Sequence, residues 1–439
     1  MAKDQIVNIF WFRRDLRLED NAGLYHALKS GRPVVPVFIF DRAILDLLEN
    51  KADRRVEFIL SAIEEMQMQL IALGSSFEVY YDKAINAWEK IINDFTIDTV
   101  YTNHDYEDYA QERDAGVKKN LEKKGIQFKT FKDQVIFEKK EVVKDDGNPY
   151  TVFTPYSRRW KATLTPFYLK SYPTNQYFDR FLSRPASSIP TLGEMGFKEL
   201  GKPFPPAELK EAIVKKYTQQ RDYPAIEGTS KMGVHLRFGT VSIRELTRKA
   251  MELNDTYLNE LIWRDFYHMI LWNFPHVGKG KAFRSEYERI EWRNNEKEFA
   301  AWCEGRTGYQ IVDAGMRELN ETGYMHNRVR MIVASFLTKH LLIDWRWGEA
   351  YFAEKLLDFD LAANNGGWQW AAGSGCDAAP HFRVFNPYLQ TQKFDPQLKY
   401  VRQWVPEFEE FTYPKPVVEH ELARKRCLEV YGKALKREL

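Results

Sequence analysis

Hydrophobic and polar positions change rhythm partway along this chain. Up to about residue 130, short apolar runs alternate with amphipathic stretches. Gln5 to Phe12 (QIVNIFWF) and Val34 to Phe40 (VVPVFIF) are nearly unbroken and rich in β-branched and aromatic residues, the pattern of strands buried on both faces. Phe77 to Tyr81 and Thr96 to Tyr101 supply further strands. Asp20 and Asn21 are placed to cap a helix running to Ser30, Arg54 to Leu73 has helical spacing, and Asp108 to Lys124 is a charged helix. Strand-helix alternation predicts a doubly wound, Rossmann-like parallel sheet. No GxGxxG follows the first strand, so a dinucleotide pyrophosphate is not expected there.

The texture then loosens. Stretches such as NPYTVFTPYSRRW and LSRPASSIPTLGEMGFKELGKPFPP are rich in Pro, Ser and Gly and carry little periodicity, which predicts an interdomain linker over 131–205. From 206 to 439 the pattern is helical, with no convincing strand. The expected architecture is an α/β domain over 1–130, that linker, and an all-α domain over 206–439; 439 residues suffice for two cores.

Two of the later helices carry polar stripes that solvent alone does not explain. In Tyr257 to Trp272, residues Glu260, Trp263, Arg264 and Tyr267 fall on one face, with Leu258, Ile262, Phe266 and Met269 opposite. Asp265 intrudes near the apolar side and needs a partner. In Gly323 to His340, residues Asn327, Arg330, Met331 and Ala334 share a face, and Val329, Ile332, Val333 and Phe336 share the other. Solvated faces rarely carry Trp and Met beside a lone amide, so these stripes predict a cleft.

Asp358 to Asp377 (DFDLAANNGGWQWAAGSGCD) packs three carboxylates, adjacent amides, a Gly-Gly pair and Trp-Gln-Trp into one short run. Two readings stand: a buried polar pocket for a planar, hydrogen-bonding aromatic ligand, and a polar turn beside an ordinary aromatic core. Glu227 to Gly239 (EGTSKMGVHLRFG) reads either as a phosphate site, with Thr229 and Ser230 opening a helix, or as a capped helix start without ligand. Lys231 precedes the second glycine, so this is not a Walker loop.

Composition narrows the classes. Three scattered cysteines, without CxxC, fit a reducing compartment, and no signal peptide or membrane-spanning run appears, so a cytoplasmic location is expected. A net charge of +2 neither demands nor excludes a polyanion. HExxH and GxSxG are missing, so no metal site or serine nucleophile is expected.

Taken in order, WFRRDLRLEDN, GTSKMGVHLRFGTVS, NELIWRDFYHMI, WCEGRTGYQIVDAGMRELNETGYMHNRVRMIVASFL and DFDLAANNGGWQWAAGSGCDAAPHFRVFNP resemble the cryptochrome/photolyase family over almost the whole chain. The resemblance implies an α/β domain able to hold an antenna and a helical domain holding FAD. By motif it assigns Tyr217, Thr229, Ser230, Lys231, Met232, Gly233, Tyr257, Asp358, Phe359 and Asp360 to the flavin, with Arg330 paired to Asp358 and Asn364 facing flavin N5. It assigns Trp368, Trp345 and Trp292 to an electron relay. Glu260, Trp263, Asn327, Arg328, Met331 and Trp370 match the pocket of enzymes that split cyclobutane pyrimidine dimers, and six-four enzymes carry histidines in the segment matched by MHNRVRM. Arg221, Arg328 and Arg383 match phosphate contacts, with Arg264 and Tyr267 lining the same face.

The implied activity is light-driven splitting of pyrimidine dimers in DNA by a monomer. The alternative is a cryptochrome-type photoreceptor, against which Asn364 and the lack of a long tail beyond Leu439 count. Tyr109 and Ala110 stand where folate-binding relatives carry Asn-Glu. A folate antenna is therefore not expected; another second chromophore stays open.

Overall fold

The computed structural model describes residues 5–435, so the first residues of the stretch read for a signal peptide and the chain end at Leu439 lie outside it. Five strands, β1 (Ile6–Phe12), β2 (Val34–Asp41), β3 (Glu78–Asp82), β4 (Thr96–Asn103) and β5 (Gln127–Phe131), form one sheet in the order β3-β2-β1-β4-β5. Every pairing is parallel. The apolar runs account for the order: β2 is buried throughout and β1 at all but its first residue, so both must lie centrally under helices. Helices α1 (Ala22–Lys29), α2 (Arg54–Ala72), α3 (Ala84–Asp94) and α4 (Asp108–Glu122) provide the crossovers. Asn21 caps α1, its side chain accepting from the Leu24 amide at 3.1 Å. Trp11, Val35 and Val37 pack with Ala87, Trp88 and Ile91 of α3 in the core of this layer.

The chain forms two compact units. The first joins residues up to Glu138 with Leu164–Leu209 and Met232–Lys249; the second joins Lys139–Thr163, Lys210–Lys231 and Ala250 onward. The stretch 131–205, expected as a linker, is therefore divided between them. Its first part forms α5 (Phe153–Thr163) in the second unit, where Tyr156 and Trp160 are buried. Its later part packs in the first, with the Leu182 amide bonded to the Val34 carbonyl at 2.9 Å.

The RRDLRLED stretch supplies an ion network at the carboxyl end of β1. Arg13 pairs with Asp114, and Arg14 with Asp105 at 3.2 Å and Glu107 at 2.8 Å. Arg17 and Arg244 both hold Asp133, at 2.7 and 2.8 Å, and Arg244 also reaches Asp20 at 2.9 Å. Burial alone would raise the Asp105 and Asp133 carboxyls, but the arginines outweigh it and hold both low.

The second unit is helical: among the described residues no strand lies beyond Phe131. Its principal helices are α6 (Asp255–Asn273), α7 (Gln310–Thr322), α8 (Asn327–Ser335), α9 (Trp345–Lys355), α10 (Leu361–Ala372) and α11 (His420–Leu435). A π-helical turn, Phe336–His340, continues α8. Val329, Ile332 and Val333 on α8 pack with Ile311, Val312 and Met316 of α7 in the core, as their spacing predicts. No helix of the described residues is long and apolar enough to cross a membrane.

Candidate functional site

The stripe on α6 lies as its spacing predicts. Leu258, Ile262, Phe266 and Met269 are buried, whereas Glu260, Trp263, Arg264 and Tyr267 are half-buried. Asp265, 1 % exposed, finds its partner in Trp160, whose indole N–H donates to it at 2.9 Å. The ring of Trp263 stacks on Phe153, with centroids 3.7 Å apart and planes 4° apart. One face of the indole is thus occupied and the ring is fixed. Tyr267 presses against α10: a Cβ at Gly366 would come within 2.2 Å of its ring, so glycine permits the close approach.

Charge on this face is partly compensated. Glu260 pairs with Arg221; burial pushes its carboxyl up, and Arg221 opposes the shift. Arg328 bonds Asp222 at 2.7 Å, lies over the Phe394 ring, and points Nη1 at the Met331 sulfur at 3.7 Å. Asn327 stands exposed at the start of α8, one turn before Met331. That helix was expected to begin at Gly323; instead His326 caps it, its Nδ1 accepting from the Arg328 amide at 3.1 Å. Burial drives the His326 ring down to about 4, so it is neutral at pH 7.

A second cluster lies along the loops before α6 and α10. Arg330 grips Asp358 with two bonds of 2.9 and 3.1 Å and donates through Nε to the Met325 carbonyl at 2.7 Å. Asp360 caps α10, accepting from the Ala362 amide at 3.1 Å, and its other oxygen lies 3.7 Å from His268 Nε2. Phe359 packs against the helical core. The Tyr257 hydroxyl donates to Ser230 at 3.0 Å, Thr229 meets the Tyr324 hydroxyl at 3.1 Å, and the Tyr217 ring stands edge-on to Tyr257. Thr229 and Ser230 do not open a helix, contrary to the phosphate-site reading. Lys231 adopts a left-handed φ of 54°, which interrupts helical geometry, and the short helix Gly233–Phe238 begins after Met232. Met232 and Gly233 belong to the stretch that packs in the first unit.

Asn364 donates through Nδ2 to the Glu349 carbonyl at 3.1 Å, leaving its oxygen as an acceptor. Next to it, Asn365 donates to the Glu349 carboxylate at 2.9 Å. Burial pushes that carboxyl up to about 7, against the bond from Asn365. One turn from Ala363, Gly367 is exposed, and a Cβ there would meet nothing within 4 Å. This face of α10 is therefore open beside an amide acceptor. With hydroxyls and an ammonium on Thr229, Ser230 and Lys231 suited to phosphate, the donor set fits FAD.

Trp368 and Trp345 are buried and Trp292 half-buried, yet no two of them are in ring contact. Trp368 instead meets Trp302 at 6.0 Å and Phe352 at 5.0 Å, Trp345 lies under the Arg346 guanidinium, and Trp292 stands edge-on to Tyr431 at 6.0 Å. Trp370 is half-buried and Arg383 exposed. In the first unit Tyr109 donates to Asp41 at 2.6 Å and Ala110 is buried, so neither offers a folate the amide or carboxylate of an Asn-Glu pair.

Sequence reading did not single out Phe153, Asp222, Tyr324 and Glu349. Only Phe153 left a signal, three and seven residues before the buried Tyr156 and Trp160.

A two-unit architecture of parallel α/β sheet and helical domain, with a cradle of this composition, defines a class of flavin-binding proteins, and comparison with known proteins agrees. Residues 8–175 match the family model for DNA photolyase, and residues 257–412 match that for the FAD binding domain of DNA photolyase. The chain is 36% identical to the deoxyribodipyrimidine photo-lyase of Halobacterium salinarum, covering 98% of this chain and 99% of that protein. It is 35% identical to the deoxyribodipyrimidine photo-lyase of Escherichia coli, over 98% and 99%. Among solved structures, a class III photolyase from Agrobacterium tumefaciens superposes with a TM-score of 0.86 at 32% identity, covering 99% of this chain and 98% of that one. An archaeal photolyase from Sulfolobus tokodaii, solved with two FAD molecules, gives 0.79 at 34% over 97% and 99%. The chain belongs to the DNA photolyase family.

Proposed function

We propose that this protein is a monomeric, FAD-dependent, light-driven lyase that splits cyclobutane pyrimidine dimers in DNA. The observation that supports the reading is α10, which carries Asn364 and Trp370, packed against both α6, which carries the Glu260–Trp263 stripe, and α8, which carries Asn327 and Met331. FAD held there would supply light absorption and one-electron transfer to the lesion, with no net redox change once the two inter-base bonds have broken.

The remaining work falls to the chain's own side chains. Asp358, paired with Arg330, places a compensated negative charge beside the ring, and Asn364 offers its oxygen to a ring N–H. Tyr217, Thr229, Ser230, Lys231, Tyr257, Phe359 and Asp360 enclose the rest of the cofactor. A pyrimidine dimer extruded from its strand stacks on Trp263 and Trp370, because its rings are apolar on their faces. Asn327 bonds its carbonyls, with Met331, Tyr267 and Arg264 lining the wall. The raised Glu260 carboxyl, when protonated, donates to the lesion where negative charge develops. Arg221, Arg328 and Arg383 hold the flanking phosphates, which makes binding salt-dependent. Trp368, Trp345 and Trp292 act as one-electron carriers between the cofactor and the surface. The test is direct: reduced protein clears dimers from irradiated oligo(dT) under blue light and not in darkness. Equal loss in both conditions, or none in either, rejects the reading.

A further inference from the structure

Lys339 lies in the π-helical turn that follows α8 and is 1 % exposed. An ammonium so placed is costly to keep unless something holds it. The titratable groups facing it are Cys427 from α11, Arg383 and His381 from the segment after α10, and His340 from its own turn, with no carboxylate among them. Its hydrogen bond goes to the backbone carbonyl of Arg383, at 2.9 Å. Burial drives the ammonium down to about 8, Cys427 opposing and Arg383 reinforcing the shift.

Besides that bond the segment is held by packing rather than by hydrogen bonds to other elements: Val384 lies against the core that includes Tyr287 and Tyr431, and the His381 ring stacks on Tyr431 at 6.2 Å. From Pro380 to Phe385 the other hydrogen bonds are local turns, Arg383 N–H to the Pro380 carbonyl and Val384 N–H to the Phe382 carbonyl. Arg383 is exposed, with its guanidinium over the Phe385 ring, and Phe382 projects into solvent at 64 % exposure. A buried cation thus ties down, from inside, the backbone of an arginine that faces outward. π-helical turns of this kind often mark functional positions, because the widened turn redirects one side chain.

We propose that Lys339 is the positioning residue for Arg383, fixing its backbone so that the exposed guanidinium meets a phosphate of the lesion-bearing strand. This rests on the function proposed above, and the experiment separates the two. In flavin-loaded full-length protein, Lys339→Met weakens binding of dimer-containing oligo(dT) about tenfold, as one lost phosphate contact plus a loosened segment, and lowers the salt slope by about 0.7, the share of one single-strand phosphate. The flavin spectrum and the repair rate at saturating DNA stay unchanged. Arg383→Ala gives the same slope, and the double variant binds no more weakly than Arg383→Ala. In the wild-type protein, affinity falls as pH rises through about 8 and the ammonium loses its proton, whereas in Arg383→Ala this decline is absent. Should Lys339→Met fail to retain flavin, that pH comparison decides. Wild-type affinity and slope in Lys339→Met, additive losses in the double variant, or the same pH decline in both proteins would overturn the assignment while leaving the repair function intact. A wild-type protein that binds no dimer removes both.

Discussion

The two units handle charge in opposite ways. In the first, Arg13, Arg14, Arg17, Arg244, Asp105 and Asp133 sit at or near the carboxyl end of β1, largely buried and matched among themselves. In the second, Asn327 stands exposed, Asn364 keeps a carbonyl oxygen unspent, and Arg383 points outward from a segment tied to the interior. Polar residues cluster at both places, but in the first nearly all the charge is spent on protein partners, Arg17 Nε being the buried exception, whereas the second presents its spare groups at an exposed face. Clustering alone is therefore a poor guide to function; remaining valence is a better one.

The sharpest way to break that contrast is to unbalance the first unit. Asp133→Ala would leave Arg17 and Arg244 facing each other in a buried site, so unfolding in urea should show a loss of about 3–5 kcal/mol. Dimer binding by whatever remains folded should not change. Asp133 titrates below its ordinary value, so its contribution is present above the usual carboxylate range and disappears as pH falls through and below it. A substitution costing under about 1 kcal/mol, within the range of exposed pairs, would mean that water already screens the network.

In the second unit the order of effects should reverse, with binding moving more than stability. Trp263→Ala should weaken dimer binding by about 1–3 kcal/mol, the worth of one base stacked on an aromatic ring, read by titration with irradiated oligo(dT). Phe153→Ala, which removes the ring behind Trp263, should cost a smaller 0.5–1.5 kcal/mol or so, through lost orientation of the indole. If Phe153→Ala bound as tightly as the parent, Trp263 would not need its backing. The smallest effect concerns Glu349. Its carboxyl is raised, so the stability it contributes is full below its ordinary range and is lost as pH rises through about 7. Glu349→Gln should therefore flatten the decline in stability between pH 6 and 8, by on the order of 1 kcal/mol. A thermal-melting profile identical to the parent's would show that water reaches the carboxylate.

Much of this was legible beforehand, for identifiable reasons. Strands β1 and β2 announce themselves because burial on both faces demands unbroken apolar runs. The α6 stripe is legible because helical periodicity forces Glu260, Trp263, Arg264 and Tyr267 to one side, and Asp265 flagged its own need for a partner. That the partner is Trp160 was not legible, since α5 hides among prolines and serines in a stretch that reads as linker. Nor does any local pattern disclose the left-handed φ of Lys231, which moves the helix start from Thr229 to Gly233. Asp222 and Glu349 stayed invisible for a third reason: their partners lie on other elements, Arg328 more than a hundred residues on and Asn365 on the next helix, and pairing between elements leaves no periodic trace.

The arginine at position 244 closes a circuit begun more than two hundred residues earlier, gripping both Asp20 and Asp133. During synthesis the amino-terminal sheet can collapse as soon as β5 emerges, but Asp133 must then wait, half-neutralised by Arg17 alone, until the helix carrying its second cation leaves the ribosome. A fragment truncated between Asp133 and Arg244 would inherit that imbalance permanently, and excising the sheet as an autonomous module calls for residues 164–209 and 232–249 to be carried along with it.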